Sequence, residues 1–259
     1  MDGLTLTWPL WIACAGVIFA AGITQGTLGF GFPALATPLL ALLTDIKTAI
    51  ILNLLPNFTL NLISILRGGN WSESIGKYWP VAVYVLAGSW LGTQFLIYAP
   101  QDPVRLLLAA SIVAYLYQHK LTRLDWSWLT QYPRWSAMVF GLTGGFFSGS
   151  VNQSLPPLLI YFTRLAVPVL VMTQALNLCF LGGKTVQAIT LGLAGQLRIS
   201  SALANVPLTV VALAGLYFGA HIQSRFSAQT YGRVLRWVLF GIAALLIVQG
   251  APWLWRWSA

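Results

Sequence analysis

The chain has 259 residues, 58% of them hydrophobic and only 7% charged, with a formal net charge of +9. A soluble domain carries about 25% charged residues, so this composition cannot cover a water-facing surface and points to repeated membrane crossings. The Lys and Arg excess suits loops facing anionic headgroups, and no basic cluster with interleaved exposed aromatics occurs, so nucleic acid is excluded as a partner.

The reading is an all-α, polytopic integral membrane bundle. The N-terminus reads Met1-Asp2-Gly3, an acid with no base, so the first apolar segment is expected to be retained rather than cleaved as a signal. Apolar runs follow at 8–28, 32–43, 46–66, 79–98, 103–118, 134–148, 153–163, 167–190, 205–222 and 232–250. Several match the roughly 20 residues that a membrane helix needs, but 32–43 and 153–163 are too short to cross alone. Cys14 and Cys179 fall inside apolar runs without metal-ligand spacing and read as small hydrophobes. Trp8, Trp71, Trp79, Trp126, Trp128, Trp253 and Trp255 flank the runs, as an interfacial aromatic belt does.

The polar connector from His119 to Trp135 divides the chain into a first transmembrane repeat (1–119), a connecting loop (120–133) and a second repeat (134–259). Gly22 and Gly26 recur as Gly141 and Gly145, and Thr37-Pro38-Leu39-Leu40 as Pro156-Pro157-Leu158-Leu159, both 119 residues on. Asn57 recurs as Asn177, and Pro80, Gly88 and Gly92 as Pro207, Gly215 and Gly219. The order and near-constant offset indicate duplication. Five crossings per half place nine basic residues on one side (Arg67, Lys77, Lys120, Arg123, Arg134, Arg164, Arg225, Arg233 and Arg236) against four on the other. Four crossings per half split them eight to six. The positive-inside rule favours five plus five, hence inverted repeats with both termini outside. The first two runs of each half then form a hairpin meeting in mid-membrane.

Two segments differ from plain spanning helix: Thr24 to Pro33, and Thr143 to Ser154. Both mix glycines, hydroxyls and amides before a proline, so each interrupts a helix and opens another. Non-helical backbone at membrane depth is tolerated only inside protein or along a wet cavity, and paired interrupted segments mark a transport site. A new helix N-terminus there suits an anion. Asn53, Asn57 and Asn61 repeat every four residues on one helix face, with Gln174 and Asn177 in the matching span, and amides avoid lipid. Lys184 is the one cation inside an apolar run, placed either to attract an anion or to snorkel. The residues expected to bind substrate are Gly29, Gly31, Phe32, Thr37, Asn53, Asn57, Ser148, Gly149, Ser150, Asn152, Gln153, Asn177 and Lys184. Backbone N–H groups from Gly29 to Pro33 and from Ser148 to Gln153 are expected to hold its oxygens. The Gly88/Gly92 and Gly215/Gly219 pairs read as close helix packing, and such stripes also suit a homodimer. All five acids lie in connectors or at span ends, and no catalytic or metal-binding motif occurs, so no enzyme, cofactor or metal is expected.

The run from Gly22 to Leu40, GITQGTLGFGFPALATPLL, resembles the first motif of the TauE/SafE family of sulfite exporters, and Gly141 to Leu159 resembles its second. Ala87-Gly88-Ser-Trp-Leu-Gly92 and its echo Ala214-Gly215-Leu-Tyr-Phe-Gly219 fit as well. Ser148, Ser150 and Asn152 stand where the family pattern leads one to expect more glycine. The resemblance implies a multi-pass permease of the bacterial inner membrane for small sulfur oxyanions such as sulfite, thiosulfate or sulfoacetate. An anion channel and a non-transporting scaffold are the alternatives.

Overall fold

The computed structural model describes residues 7–69, 71–122, 124–197, 203, 205–222 and 228–255, with the side chains of 228–235 and 251–255 left out. The described chain is helical. It runs α1 (Trp8–Leu28), α2 (Phe32–Leu43), α3 (Ile46–Gly68), α4 (Trp71–Tyr98), α5 (Gln101–Leu116), α6 (Gln118–Leu121), α7 (Trp128–Gln131), α8 (Pro133–Val151), α9 (Leu155–Arg164), α10 (Val169–Leu193), α11 (Val206–Ile222) and α12 (Ala228–Trp255). Each apolar run of the sequence has a helix of its own, although 103–118 runs past the end of α5 and 153–163, 167–190 and 205–222 begin one or two residues before theirs. Among the described residues α1, α3, α4 and α10 are long and apolar enough to cross a membrane, and α2, α11 and Arg236–Gly250 of α12 are shorter apolar stretches. Helix α4 begins at Trp71, ahead of the run at 79, because Glu73 and Lys77 interrupt apolarity without breaking the helix. Arg123, Arg198, Arg225 and Arg256 lie outside the described residues.

Helix directions follow from which residues meet. Gly22 faces Ala212 and Gly215, and Gly26 faces Leu216 and Gly219, so α1 and α11 run the same way. Gly88 faces Leu142, and Gly92 faces Phe146 and Ser150, so α4 and α8 also run together. The Asn205 amide donates to the Ile51 carbonyl near the start of α3, and Arg67 near its end lies over the Tyr217 ring, which aligns α3 with α11. Ser74 meets Gln174, and Ser89 meets Gly183, which aligns α10 with α4. The Lys47 ammonium donates to the Ile97 carbonyl, so α3 and α4 are antiparallel. Thus α1, α3 and α11 share one direction, and α4, α8 and α10 the other.

The buried apolar residues form two cores. One joins α1, α2, α3 and α5 with Leu208, Ala212 and Leu216 of α11 and with Leu239, Ile242, Ala243 and Leu246 of α12. The other joins α8, α9 and α10 with Tyr78, Val81 and Val85 of α4. Each half therefore lends its fourth helix to the core of the other. The seams are glycine stripes: a Cβ on Gly22, Gly26, Gly88, Gly92, Gly145 or Gly149 would lie 2.1 to 2.5 Å from a backbone oxygen of the partner helix. These stripes do close packing within the chain, as read for Gly88/Gly92 and Gly215/Gly219. The connector is itself packed. Leu129 is buried, and Trp126 and Trp128 are half-buried against Phe140, so these two tryptophans form part of an aromatic cluster, unlike exposed Trp8, Trp71 and Trp79.

Candidate functional site

Helix α1 ends at Gly29 in the left-handed region (φ 81°), and Gly31 (φ 104°) precedes α2, so both positions need glycine. Helix α8 ends the same way on Asn152 (φ 59°), with the Gln153 N–H closing onto the Phe147 carbonyl. Proline then follows within the first turn of both α2 and α9. At 1.5 Å per residue the 12 residues of α2 span about 18 Å and the 10 of α9 about 15 Å. The end of α2 leads to the Lys47–Ile97 contact at one end of the bundle. The end of α9 lies at the opposite end, where Arg164 donates to the Thr122 carbonyl. Together the two lengths match a hydrocarbon core of about 30 Å, so the N-termini of α2 and α9 meet about halfway, head to head. The Gln153 amide, donating to the Pro33 carbonyl at 3.0 Å, joins the two breaks.

The first break is braced by carboxamides. Gln25 accepts from the Phe32 N–H at 3.1 Å and donates to Asn177 at 2.9 Å. Asn177 in turn donates to the carbonyls of Gly29 (2.9 Å) and Thr173 (2.7 Å). Asn177, read as a free donor, is instead fully engaged in holding the αL turn. Several of the backbone donors are also taken. The Gly29 and Phe32 N–H groups bond Gln25, and the Ala34 N–H bonds the Gly31 carbonyl. The Asn152 and Gln153 N–H groups cap α8, and Pro33, Pro156 and Pro157 have none to give. Between Gly29 and Pro33 this leaves the Phe30 and Gly31 N–H groups for an oxyanion, and the other donors are side chains.

Those side chains gather at the second break. Lys184 is buried to 2% exposure, so it does not snorkel. Its ammonium donates to Gln187 Oε1 at 2.7 Å, to the Ser148 carbonyl at 3.3 Å and to Asn152 Oδ1, all neutral acceptors. Beside it Ser148 Oγ and Asn152 Nδ2 are buried without partners. The Ser148 hydroxyl faces Gly183, where a Cβ would lie 2.4 Å from it, so α10 needs glycine beside its lysine. Gln187 also donates to the Gly149 carbonyl at 2.8 Å, and Ser89 donates to the Gly183 carbonyl at 2.8 Å. Gln25, Gln187 and Ser89 were not among the expected binding residues. Gln187 was findable, three residues after Lys184 on the same helix face.

Of the remaining expected residues, Gly149 joins this cluster through its carbonyl and the others stand apart from it. Ser150 donates back to the Phe146 carbonyl at 2.6 Å within its own helix, and Gly149 packs on Ser89 and Thr93 of α4. Asn53, Asn57 and Asn61 are fully buried along α3. There Asn53 donates to Thr37 and Asn61 to Asn57 at 2.8 Å, which leaves Asn57 Nδ2 without a partner. Pro56 sits beside Asn57 within α3 and frees the carbonyl one turn earlier.

A family model described as sulfite exporter TauE/SafE matches residues 14–248, nearly the whole chain. The chain belongs to the TauE/SafE family. Neither the curated proteins nor the solved structures include a match to it. The TauE/SafE match spans both interrupted segments, both glycine seams and Lys184, and it makes the chain a membrane transporter of the sulfite exporter type.

Proposed function

We propose that this TauE/SafE protein is a carrier that moves a small sulfur oxyanion, such as sulfite, thiosulfate or sulfoacetate, across the bacterial inner membrane. The observation that carries this reading is the Lys184 cluster: a buried ammonium surrounded by neutral acceptors, with the unpartnered donors of Ser148 and Asn152 beside it. A buried cation without a counter-charge is costly, and a bound anion removes that cost. Asn57 adds a further buried donor on the α3 side.

The halves 1–119 and 134–259 are inverted repeats in this reading, supported by the opposed directions of α1 and α8, of α3 and α10, and of α4 and α11. The bodies that rock are the two packing groups, α1–α3 with α11 and α8–α10 with α4; the Lys184 cluster belongs to the second, and the Gln153–Pro33 bond joins it to the break of the first. The test is flux into liposomes with radiolabelled sulfite, thiosulfate and sulfoacetate beside sulfate and chloride. Saturable uptake of a sulfur oxyanion is expected. Ohmic single-channel steps would replace the carrier with a channel, and no flux from folded protein would leave a scaffold.

Two asparagines test positioning and binding. Asn177→Leu removes the closer of two donors to the half-buried Gly29 carbonyl, leaving Gln25 at 3.4 Å, and takes away the Asn177 acceptor of Gln25, each bond worth about 0.5–1.5 kcal/mol. It is expected to lower the melting temperature and abolish uptake together. Asn57→Leu removes a donor with no partner together with the acceptor of the buried Asn61 amide, and is expected to abolish uptake with stability lowered by about 1–3 kcal/mol for that orphaned donor. Wild-type flux in either variant removes that residue from the proposal.

A further inference from the structure

At the end of the bundle that holds Arg164, a cavity separate from the Lys184 cluster opens between the end of α5, α6 and α12. It has a volume of about 390 Å³ and is lined by Leu116, Lys120, Arg236, Trp237 and Phe240 among others. Lys120 and Arg236 bring one cation from each half of the chain to this cavity. Neither has a carboxylate partner: among the described residues the one ion pair is Arg105 with Asp102. Arg236 also opens the apolar stretch Arg236–Gly250 of α12, while Leu116 closes α5. The cavity thus lies at the level where apolar helix gives way to polar connector. Trp237 and Phe240, both exposed, sit on the apolar side of the two cations. Two cations without a carboxylate partner, Lys120 lying over the Tyr117 ring, with an aromatic–aliphatic wall below them match the two parts of a phospholipid, a phosphate diester above and the start of the acyl chains beneath.

We propose that this cavity binds the headgroup of an anionic phospholipid, which clamps α12 to the α5–α6 corner and so ties the last helix of the second half to the last helix of the first. Lys120 and Arg236 hold the phosphate oxygens, and Trp237 and Phe240 line the acyl side. A free phosphate would use the same cations but gains nothing from the apolar wall, which is why the lipid is the favoured source. The site is distinct from the Lys184 cluster and stands whether or not that cluster binds an oxyanion.

The experiment exchanges the full-length protein into mixed vesicles of phosphatidylglycerol and phosphatidylcholine and counts the lipids retained by native mass spectrometry. Phosphatidylglycerol is expected to be retained about tenfold over phosphatidylcholine, the order that two interfacial cations supply. The K120A/R236A double variant is expected to lose that preference, and Arg236→Gln alone to show an intermediate one; both positions are exposed, so folding survives. Equal retention of the two lipids by the wild type, or an unaltered preference in the double variant, overturns the proposal. Inorganic phosphate at millimolar concentration is expected to leave retention unchanged, and displacement of the lipid by it would reassign the cavity to free phosphate.

Discussion

Replacing Lys184 with methionine is expected to cut sulfur-oxyanion uptake by at least roughly 30-fold, the lower end of the loss when one partner of a buried charge pair is removed. The protein itself is expected to survive the change. In the unliganded protein Lys184 pays for desolvation without any opposite charge, since Asn152, Gln187 and the Ser148 carbonyl are all neutral. Methionine has a similar length, and removing the charge offsets the acceptors left unpaired at Asn152 and Gln187. The melting temperature should therefore stay close to wild type. A second readout does not depend on flux. A ligand held by the folded state alone stabilises it by about 2.7 kcal/mol at a hundredfold excess over Kd. The transported anion should raise the wild-type melting temperature and leave that of Lys184→Met unmoved. A variant that transports normally and is still stabilised by the anion would sink the proposed role of the lysine.

The reasons why Lys184 was legible, and its neighbours less so, are physical. A charge inside an apolar run is conspicuous in any sequence, because lipid exposure there is so costly. Whether it snorkels depends on where the helix lies in the bundle, which a linear pattern does not encode; α10 is covered by α3, α4, α8 and α9. The helix breaks were equally legible, since Gly29, Gly31 and the prolines carry their backbone preferences with them. Asn152 in the left-handed region is a common glycine substitute, and it explains why a less glycine-rich second motif still breaks its helix. What the sequence hid was the use of each polar group. Asn57 and Asn177 occupy matching positions in the repeat, yet one has a free amide donor and the other is fully bonded. The difference comes from the Gly29 and Thr173 carbonyls, which accept both hydrogens of the Asn177 amide, while Gln25 donates to its oxygen across 152 residues of chain. The exchange of fourth helices was hidden for a similar reason: a glycine stripe announces a close partner without naming it.

The largest stability effects are expected at those stripes. Gly26→Ala would place a Cβ 2.2 Å from the Leu216 carbonyl oxygen, and Gly145→Ala one 2.3 Å from that of Val85. Both obstacles are backbone atoms of a rigid helix, so no side chain can rotate away and the whole helix must move. Overpacking of side chains alone costs about 1–3 kcal/mol, and a seam that must open along its length should cost at least as much. Gly241→Ala and Gly192→Ala are the controls, for a Cβ at either meets nothing within 4 Å. Alanine is the better helix former by about 1 kcal/mol in a helix interior, so these two should melt at or above the wild-type temperature. The comparison also probes the internal symmetry. Gly26 and Gly145 are repeat partners on α1 and α8, each set against the fourth helix of the opposite half. If the halves are equivalent, the two variants should lose similar stability, because the same contact is broken on either side of the site. Melting of Gly26→Ala and Gly145→Ala alongside the wild type would mean that the seams yield without cost, and the close helix approach would then carry no weight in holding the two bodies together.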